Sequence, residues 1–297
     1  MIQTVLEAGL RQTMRRVVRP VLSPLIGIGL QRRLTRQAYR SSTPPSDCEF
    51  SHGLYGNIPV SHVNYGQPDK GVLLYFHGGG YTIGSAETHR GITGHLAKTS
   101  GCTVVVPDYR LAPEHPYPAA LEDAEAVYKA LLGDGFSPAN IALAGDSAGG
   151  GLALALAMKL RDDGKTLPGS LTVFSPWTDL THTALSSPDM EPVLQRSWVE
   201  KNAELYCGDL TRTTPYISPV YGDLSGLPPL LIQAGSQEIL LNDSIRLSDR
   251  ARAQDVDTTL EIYNSLWHVF QIHASQLDRA REALAVAGAH IKAHLAT

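Results

Sequence analysis

Six short stretches set the terms for what this chain can fold into. Val72–Phe76, Thr103–Val106, Ile141–Ala144, Leu171–Ser175 and Leu230–Ala234 are continuous apolar runs, and Thr259–Tyr263 alternates. Continuous runs of this length suit parallel strands buried on both faces. Stretches of helical periodicity lie between them: His89–Thr99, Ala119–Leu132, Gly150–Arg161, Asp243–Ala253 and Leu277–His294. Strand and helix in alternation predict one doubly wound, mostly parallel α/β sheet. The interval from Trp177 to Leu227 has no convincing strand and is too long for a plain connection, so an inserted helical segment is expected there. Residues 1–40 read as two helices broken near Pro20–Pro24, followed by a linker at Ser41–Pro45.

Charge narrows the function. The net charge is −4 over 297 residues, which leaves the chain as a whole without a nucleic-acid footprint. Residues 1–40 hold eight arginines against one acid, Glu7, a local +7 that leaves −11 for the rest. Such a basic segment is either the solvated side of helices or a surface for anionic lipid. Cys48, Cys102 and Cys207 are scattered with no CxxC pair, which argues against a disulfide framework or zinc site and for a reducing, cytoplasmic setting. The apolar stretch Val21–Leu30 is too short to span a bilayer and lacks the flanks of a signal peptide.

Gly145-Asp146-Ser147-Ala148-Gly149 follows the run Ile141–Ala144 and opens a helical stretch. A serine squeezed between strand and helix needs a strained backbone and small neighbours, and the turn lifts its hydroxyl clear of the sheet. The same turn aims the Ala148 N–H, at the positive helix end, toward a developing oxyanion. His77-Gly78-Gly79-Gly80-Tyr81 follows the run Val72–Phe76, where glycines let several backbone N–H groups converge on one point. Gly78, Gly80 and Gly84 also fit a loose dinucleotide loop. However, the next acid after a strand, Asp108, lies too far along for a ribose contact, and that reading leaves Ser147 unexplained.

A serine nucleophile needs a histidine base and a carboxylate to orient it, following in that order on this type of sheet. His268 lies in the loop after Thr259–Tyr263 and is the expected base. His273 is expected inside the next helix, His290 and His294 on a solvated helix face, and His182 precedes the candidate acids. Glu238 stands in the turn after Leu230–Ala234 and is the favoured acid. Asp243, five residues on at a helix N-terminus, is the alternative.

With these residues in place, the chain resembles bacterial esterases of the hormone-sensitive-lipase branch of the α/β-hydrolases. The matching segments are His77–Tyr81, Pro107–His115 (PDYRLAPEH), Gly145–Gly150, Ser175-Pro-Trp177 and Leu227-Pro-Pro229, so the likeness covers essentially the whole chain. It implies an α/β-hydrolase fold, a mostly parallel central sheet flanked by helices, with a helical cap from residues 1–45 and 180–222 over a core of 46–179 and 223–297. It implies Ser147 as nucleophile, Gly79, Gly80 and Ala148 as oxyanion donors, His77 and Asp146 as bracing residues, and no cofactor. Many members carry Asp-Pro-Leu where this chain has Glu238-Ile239-Leu240, and Gly-Phe where His268 is followed by Val-Phe. The expected reaction is hydrolysis of short- to medium-chain esters of small alcohols, with lactone, amide or carbamate hydrolysis as alternatives at the same site. A receptor on this fold lacks the histidine that His268 supplies. Tyr81, Trp198 and Tyr206, with Ile83, Val193 and Leu194, are candidates for an apolar acyl pocket. Homodimers are common in this branch.

Overall fold

The computed structural model describes residues 2–68, 71–186 and 191–296. Eight strands form one sheet in the order β1-β2-β4-β3-β5-β6-β7-β8. The strands are β1 (Cys48–Tyr55), β2 (Ile58–Tyr65), β3 (Val72–Phe76), β4 (Thr103–Pro107), β5 (Ile141–Asp146), β6 (Ser170–Phe174), β7 (Leu230–Gly235) and β8 (Thr258–Tyr263). From β4 to β8 every pairing is parallel, and β1 and β2 join antiparallel at one edge. All six apolar runs are strands within a residue or two of their expected limits. The hairpin β1–β2 goes beyond them. β1 alternates half-buried with exposed side chains over most of its length, and β2 mixes buried Val60, Ser61 and Val63 with half-buried residues, so neither carries a continuous apolar signal.

Nine α-helices lie in the described chain, joined by shorter helical turns: α1 (Ile2–Thr13), α2 (Arg19–Val21), α3 (Ile28–Ala38), α4 (Arg90–Ser100), α5 (Ala119–Gly133), α6 (Ala148–Asp162), α7 (Arg196–Cys207), α8 (Leu241–Ala253) and α9 (Asp278–Ala293). α4 and α9 pack together on one side of the sheet, while α6 contacts α5 and lies along β3, β5 and β6. α6 buries nearly all of its residues because its sequence is mostly Ala, Gly and Leu, which allow close approach to the strands.

The N-terminal segment bends where expected, though not at Pro20. A wide π turn, Met14–Val18, precedes α2, with the Arg19 N–H bonded to Met14 O five residues back. The helical path therefore carries past Pro20 and stops at Val21. α3 then returns and is tied to α7, where Trp198 Nε1 donates to Gln31 Oε1 at 2.7 Å. α7 is the helix of the long interval after β6. Residues 187–190 of that interval lie outside the described ones.

Candidate active site

The parallel strands end along one edge of the sheet, where the loops after β3, β5, β7 and β8 meet. Ser147 is the residue between β5 and α6, at φ 52° and ψ −121°, a strained conformation for a side chain with a Cβ. Two bonds clamp it: its N–H donates to Phe174 O at 2.8 Å, and its carbonyl accepts from Trp177 N at 2.9 Å. Gly145 and Gly149 are required by close approach. A Cβ on Gly145 would lie 2.4 Å from Gly149 O, and one on Gly149 would lie 2.0 Å from Phe76 O. The turn is thus locked by its neighbours.

Asp146 explains how the glycine loop is held beside the serine. Its carboxylate accepts from Tyr75 Oη at 2.6 Å and from the Gly78 N–H at 3.0 Å, and it faces His89 Nε2 at 3.3 Å. Both side chains are almost fully buried. Burial works against their charges, yet each favours the charged form of the other. Asp146 lies below the ordinary carboxyl range because of His89, and His89 lies above the ordinary imidazole because of Asp146. His77, the other expected brace, stacks on Tyr109 at 4.3 Å, and its Nδ1 donates to Gly78 O at 2.8 Å. Burial, followed by the charge of His89, keeps its imidazole neutral, down to about 4.

The loop's amides remain available. Among the described residues, no hydrogen bond engages the N–H groups of Gly79 or Gly80, and Ala148 begins α6, where the first N–H groups have no intrahelical acceptor.

His268 lies in the loop after β8, and Glu238 lies three residues past β7. Their closest approach is 4.0 Å, from His268 Nδ1 to Glu238 Oε2. Neither His268 Nδ1 nor Glu238 Oε1 has a hydrogen-bond partner among the described residues. The oxygen Oε2 accepts from Ser175 Oγ at 2.6 Å and from Gly235 N at 3.1 Å, and Ser175 Oγ in turn accepts from Val269 N at 3.0 Å. Ser175 therefore ties the acid loop to the histidine loop, and it holds φ 45° to do so. Burial pushes Glu238 up to about 8, with the charges of Glu191 and Asp243 adding to the effect, and burial keeps His268 neutral down to about 4.

Asp243 is placed elsewhere. It sits in the first turn of α8 and accepts from the Thr178 and Asp179 N–H groups, both at 2.8 Å. Burial pushes it to about 7. Its role in the fold is to hold the chain leaving β6.

A narrow cavity of about 50 Å³ joins these parts. Gly78, Gly79, Ser147 and His268 are among its walls. Ile83, Val193, Leu194 and Trp198 line it as expected, together with Met14 and Leu22 from the N-terminal segment. Tyr81 and Tyr206 do not. Their rings stack face to face at 3.7 Å, both fully buried, which corrects their expected place in the pocket. Packed against each other in the core, the two rings remove more apolar surface from water than they would as walls of an open cleft. His273, in a short helical turn, is a cavity wall whose Nε2 has no partner among the described residues. His182 stacks on Trp177 and pairs with Glu200 at 2.6 Å. His290 and His294 are half-buried rather than solvated, and among the described residues no group of three or more His, Cys, Asp or Glu could hold a metal ion.

Three residues at this site escaped sequence reasoning: His89, Ser175 in its bridging role, and Glu191. Glu191 is buried, and its carboxylate accepts from Val193 N at 2.6 Å, Leu194 N at 3.2 Å and Ile239 N at 3.0 Å. It thus bolts the segment before α7 to the residue next to Glu238. Burial pushes it to about 7.

Comparison with known proteins extends the geometry. A family model described as alpha/beta hydrolase fold matches residues 73–272. An acetyl-hydrolase of Streptomyces hygroscopicus is 39% identical over 254 residues, covering 84% of this chain and 83% of its own length. An esterase of Acinetobacter venetianus is 38% identical over 218 residues, 72% of each chain. The crystal structure of an esterase from the bacterial hormone-sensitive lipase family matches at a TM-score of 0.94 and 37% identity, over 100% of both chains.

Proposed function

Since the chain belongs to the α/β-hydrolase family, in its bacterial hormone-sensitive-lipase branch, and is a carboxylic ester hydrolase, we propose that it cleaves short-chain acyl esters through a Ser147–His268–Glu238 triad. The observation that carries this reading is that Ser147, held at φ 52°, shares one cavity with His268 and the Gly78-Gly79 backbone. In the mechanism, Glu238 as carboxylate holds the proton on His268 Nδ1, leaving Nε2 to take the Ser147 proton. The Ser147 oxygen attacks the ester carbonyl, and the N–H groups of Gly79, Gly80 and Ala148 receive the oxyanion. His268 then protonates the leaving alcohol and activates the water that releases the acid. Asp146 positions the oxyanion loop through the Gly78 N–H rather than touching substrate.

The proposed cap consists of residues 1–45 and 180–222. Both parts supply cavity walls: Met14 and Leu22 from the first, Val193, Leu194 and Trp198 from the second. The size of the cavity argues for short acyl groups. At about 50 Å³ the space beside Ser147 favours a small acyl group, on the scale of acetyl or propionyl. The acetyl-hydrolase relative points the same way.

Hydrolysis of p-nitrophenyl esters from acetate to dodecanoate should be fastest at acetate or propionate and fall steeply beyond butyrate. Ser147→Ala should lower kcat by ~10⁴ or more while the protein stays folded. A Ser147→Ala enzyme with full activity refutes the nucleophile, and a maximum at octanoate or longer refutes the substrate reading.

A further inference from the structure

The arginines of the N-terminal arm fall into two sets. Arg11, Arg19 and Arg32 turn inward, and Arg36, itself exposed, reaches a carboxylate on the body. Arg11 donates to Ser265 O and lies over the Trp267 ring, and Arg19 donates to the carbonyls of Glu191 and Leu194. Arg32 forms a fork with Glu114, both bonds 2.7 Å, and Arg36 meets Glu87 at 3.2 Å. These four fasten the arm to the body. Arg15, Arg16, Arg33 and Arg40 are exposed, and among the described residues no carboxylate lies within ion-pair distance of them.

The apolar side chains divide the same way. Leu10, Met14, Val18 and Leu22 pack inward. Ile2, Val5 and Leu6 on α1, Val17 on the π turn, and Leu30 and Leu34 on α3 face outward. With Leu25 at 94% exposure, the first 34 residues hold seven of the eleven large exposed apolar side chains among those described. Such side chains scattered singly mean little, but a concentration rimmed by one sign of charge marks an interaction surface. Val17, Val21 and Leu34 also line an open apolar groove, and Thr35 is a wall both of that groove and of the cavity holding Ser147.

We propose that this arm docks the enzyme on an anionic lipid surface. Val17, Leu34 and their apolar neighbours enter the acyl boundary, and Arg15, Arg16 and Arg33 meet headgroup phosphates. Charge selects this occupant. A second copy applied symmetrically to the same face would set the exposed Arg15, Arg16 and Arg33 of one copy against those of the other, whereas an anionic bilayer neutralises them. Contact is at the surface, since among the described residues no helix is long and apolar enough to cross a membrane. The shared wall at Thr35 places the lipid-facing groove beside the substrate cavity, so an ester dissolved in the bilayer has a short route to Ser147. The docking proposal stands apart from the assignment of the triad.

Flotation of the full-length protein with phosphatidylglycerol–phosphatidylcholine vesicles tests it. The wild type should float with these vesicles at low salt, stay behind with pure phosphatidylcholine, and be released in 0.5 M salt, where the Debye length is only a few ångströms (roughly 4 Å). A triple variant, Arg15→Gln, Arg16→Gln and Arg33→Gln, should lose at least ~10-fold in partition. Val17→Asp with Leu34→Asp should lose binding as well. Both variants should hydrolyse p-nitrophenyl acetate at the wild-type rate, which shows that they are folded. Absence of wild-type flotation at low salt, or undiminished flotation of the arginine variant, overturns the proposal. So does a light-scattering mass that halves in the aspartate variant, because the face would then be covered by a second copy.

Discussion

The nucleophile half of the site and its acid half are built differently. Around Ser147 the scaffold is saturated: Asp146 accepts from Tyr75, Gly78 and His89, and both ends of the Ser147 backbone are clamped. Around Glu238 it is open. Glu238 Oε1 and His268 Nδ1 are buried without partners among the described residues, and 4.0 Å separates the two side chains. The first half centres on the loops after the neighbouring strands β3 and β5, clamped by the end of β6 and by His89 ahead of α4. The second draws Ser175, Glu191, Glu238 and His268 from four separate segments. In the proposed triad, geometry prepares Ser147 in advance, whereas Glu238 is completed by ionisation. A neutral carboxyl gains little by closing on an imidazole, while a carboxylate gains a charge-assisted bond.

The sharpest way to break this contrast is to take the charge from the acid half. Glu238→Gln should lower kcat by ~10³–10⁴, since the amide cannot hold the imidazole in its working tautomer. Asp243→Asn should leave kcat within about threefold, because its carboxylate serves backbone N–H groups, and should instead lower the Tm by a few degrees (about 1–2 kcal/mol for a weakened buried acceptor). Steady-state kinetics with melting curves for both variants decide the matter. Loss of kcat in Asp243→Asn with little loss in Glu238→Gln would move the acid to Asp243.

The nucleophile half should break by another route. Asp146→Asn leaves the His89 imidazole buried without its counter-charge, and breaking such a pair costs about 3–5 kcal/mol. The Tm should drop by roughly 10 °C, with a smaller fall in kcat/KM of about 10–100-fold as the Gly78 loop loosens. Calorimetry showing an unchanged Tm would remove the ion pair from the account of that half.

The same division governs what can be read without coordinates. The strands β3 to β7 and the serine turn are legible because each is signalled by adjacent residues: continuous apolar runs, and small residues around Ser147. The placing of His268 and Glu238 on the same edge follows from the order of strands. Partnerships across long separations leave no such mark. His89 meets Asp146 over 57 positions, and Ser175 meets Glu238 over 63. Tyr81 and Tyr206 show the limit for aromatic residues, since nothing in their spacing separates a stacked pair in the core from a cavity wall. The hairpin β1–β2 escapes for another reason: Ser51, His52, Ser61, His62 and Asn64 interrupt its apolar residues, so it carries no apolar run.

The smallest effect is the most diagnostic of the acid half, because it is a shift along the pH axis. Burial raises Glu238 from 4.5 to about 8. The proposed mechanism needs Glu238 ionised and His268 neutral, so kcat/KM should rise with pH along a limb centred near 8 rather than near the 6.5 of an ordinary imidazole. Stability should run the other way. A carboxyl raised in the folded state favours folding fully below its unfolded value of 4.5, and that contribution is lost as pH climbs toward 8. Two substitutions should move the limb in opposite directions. The charge of Glu191 raises Glu238, so Glu191→Gln should shift the limb toward acid by about half a pH unit. The Ser175 hydroxyl bond lowers Glu238, so Ser175→Ala should shift it toward base by a similar amount, about half a unit, with a fall in kcat of roughly tenfold. The pH profiles of the two variants, taken with one ester, carry the decision. Opposed shifts place the ionisation on Glu238, whereas two unmoved limbs would assign it to another group and leave the acid half as rigidly set as the nucleophile half.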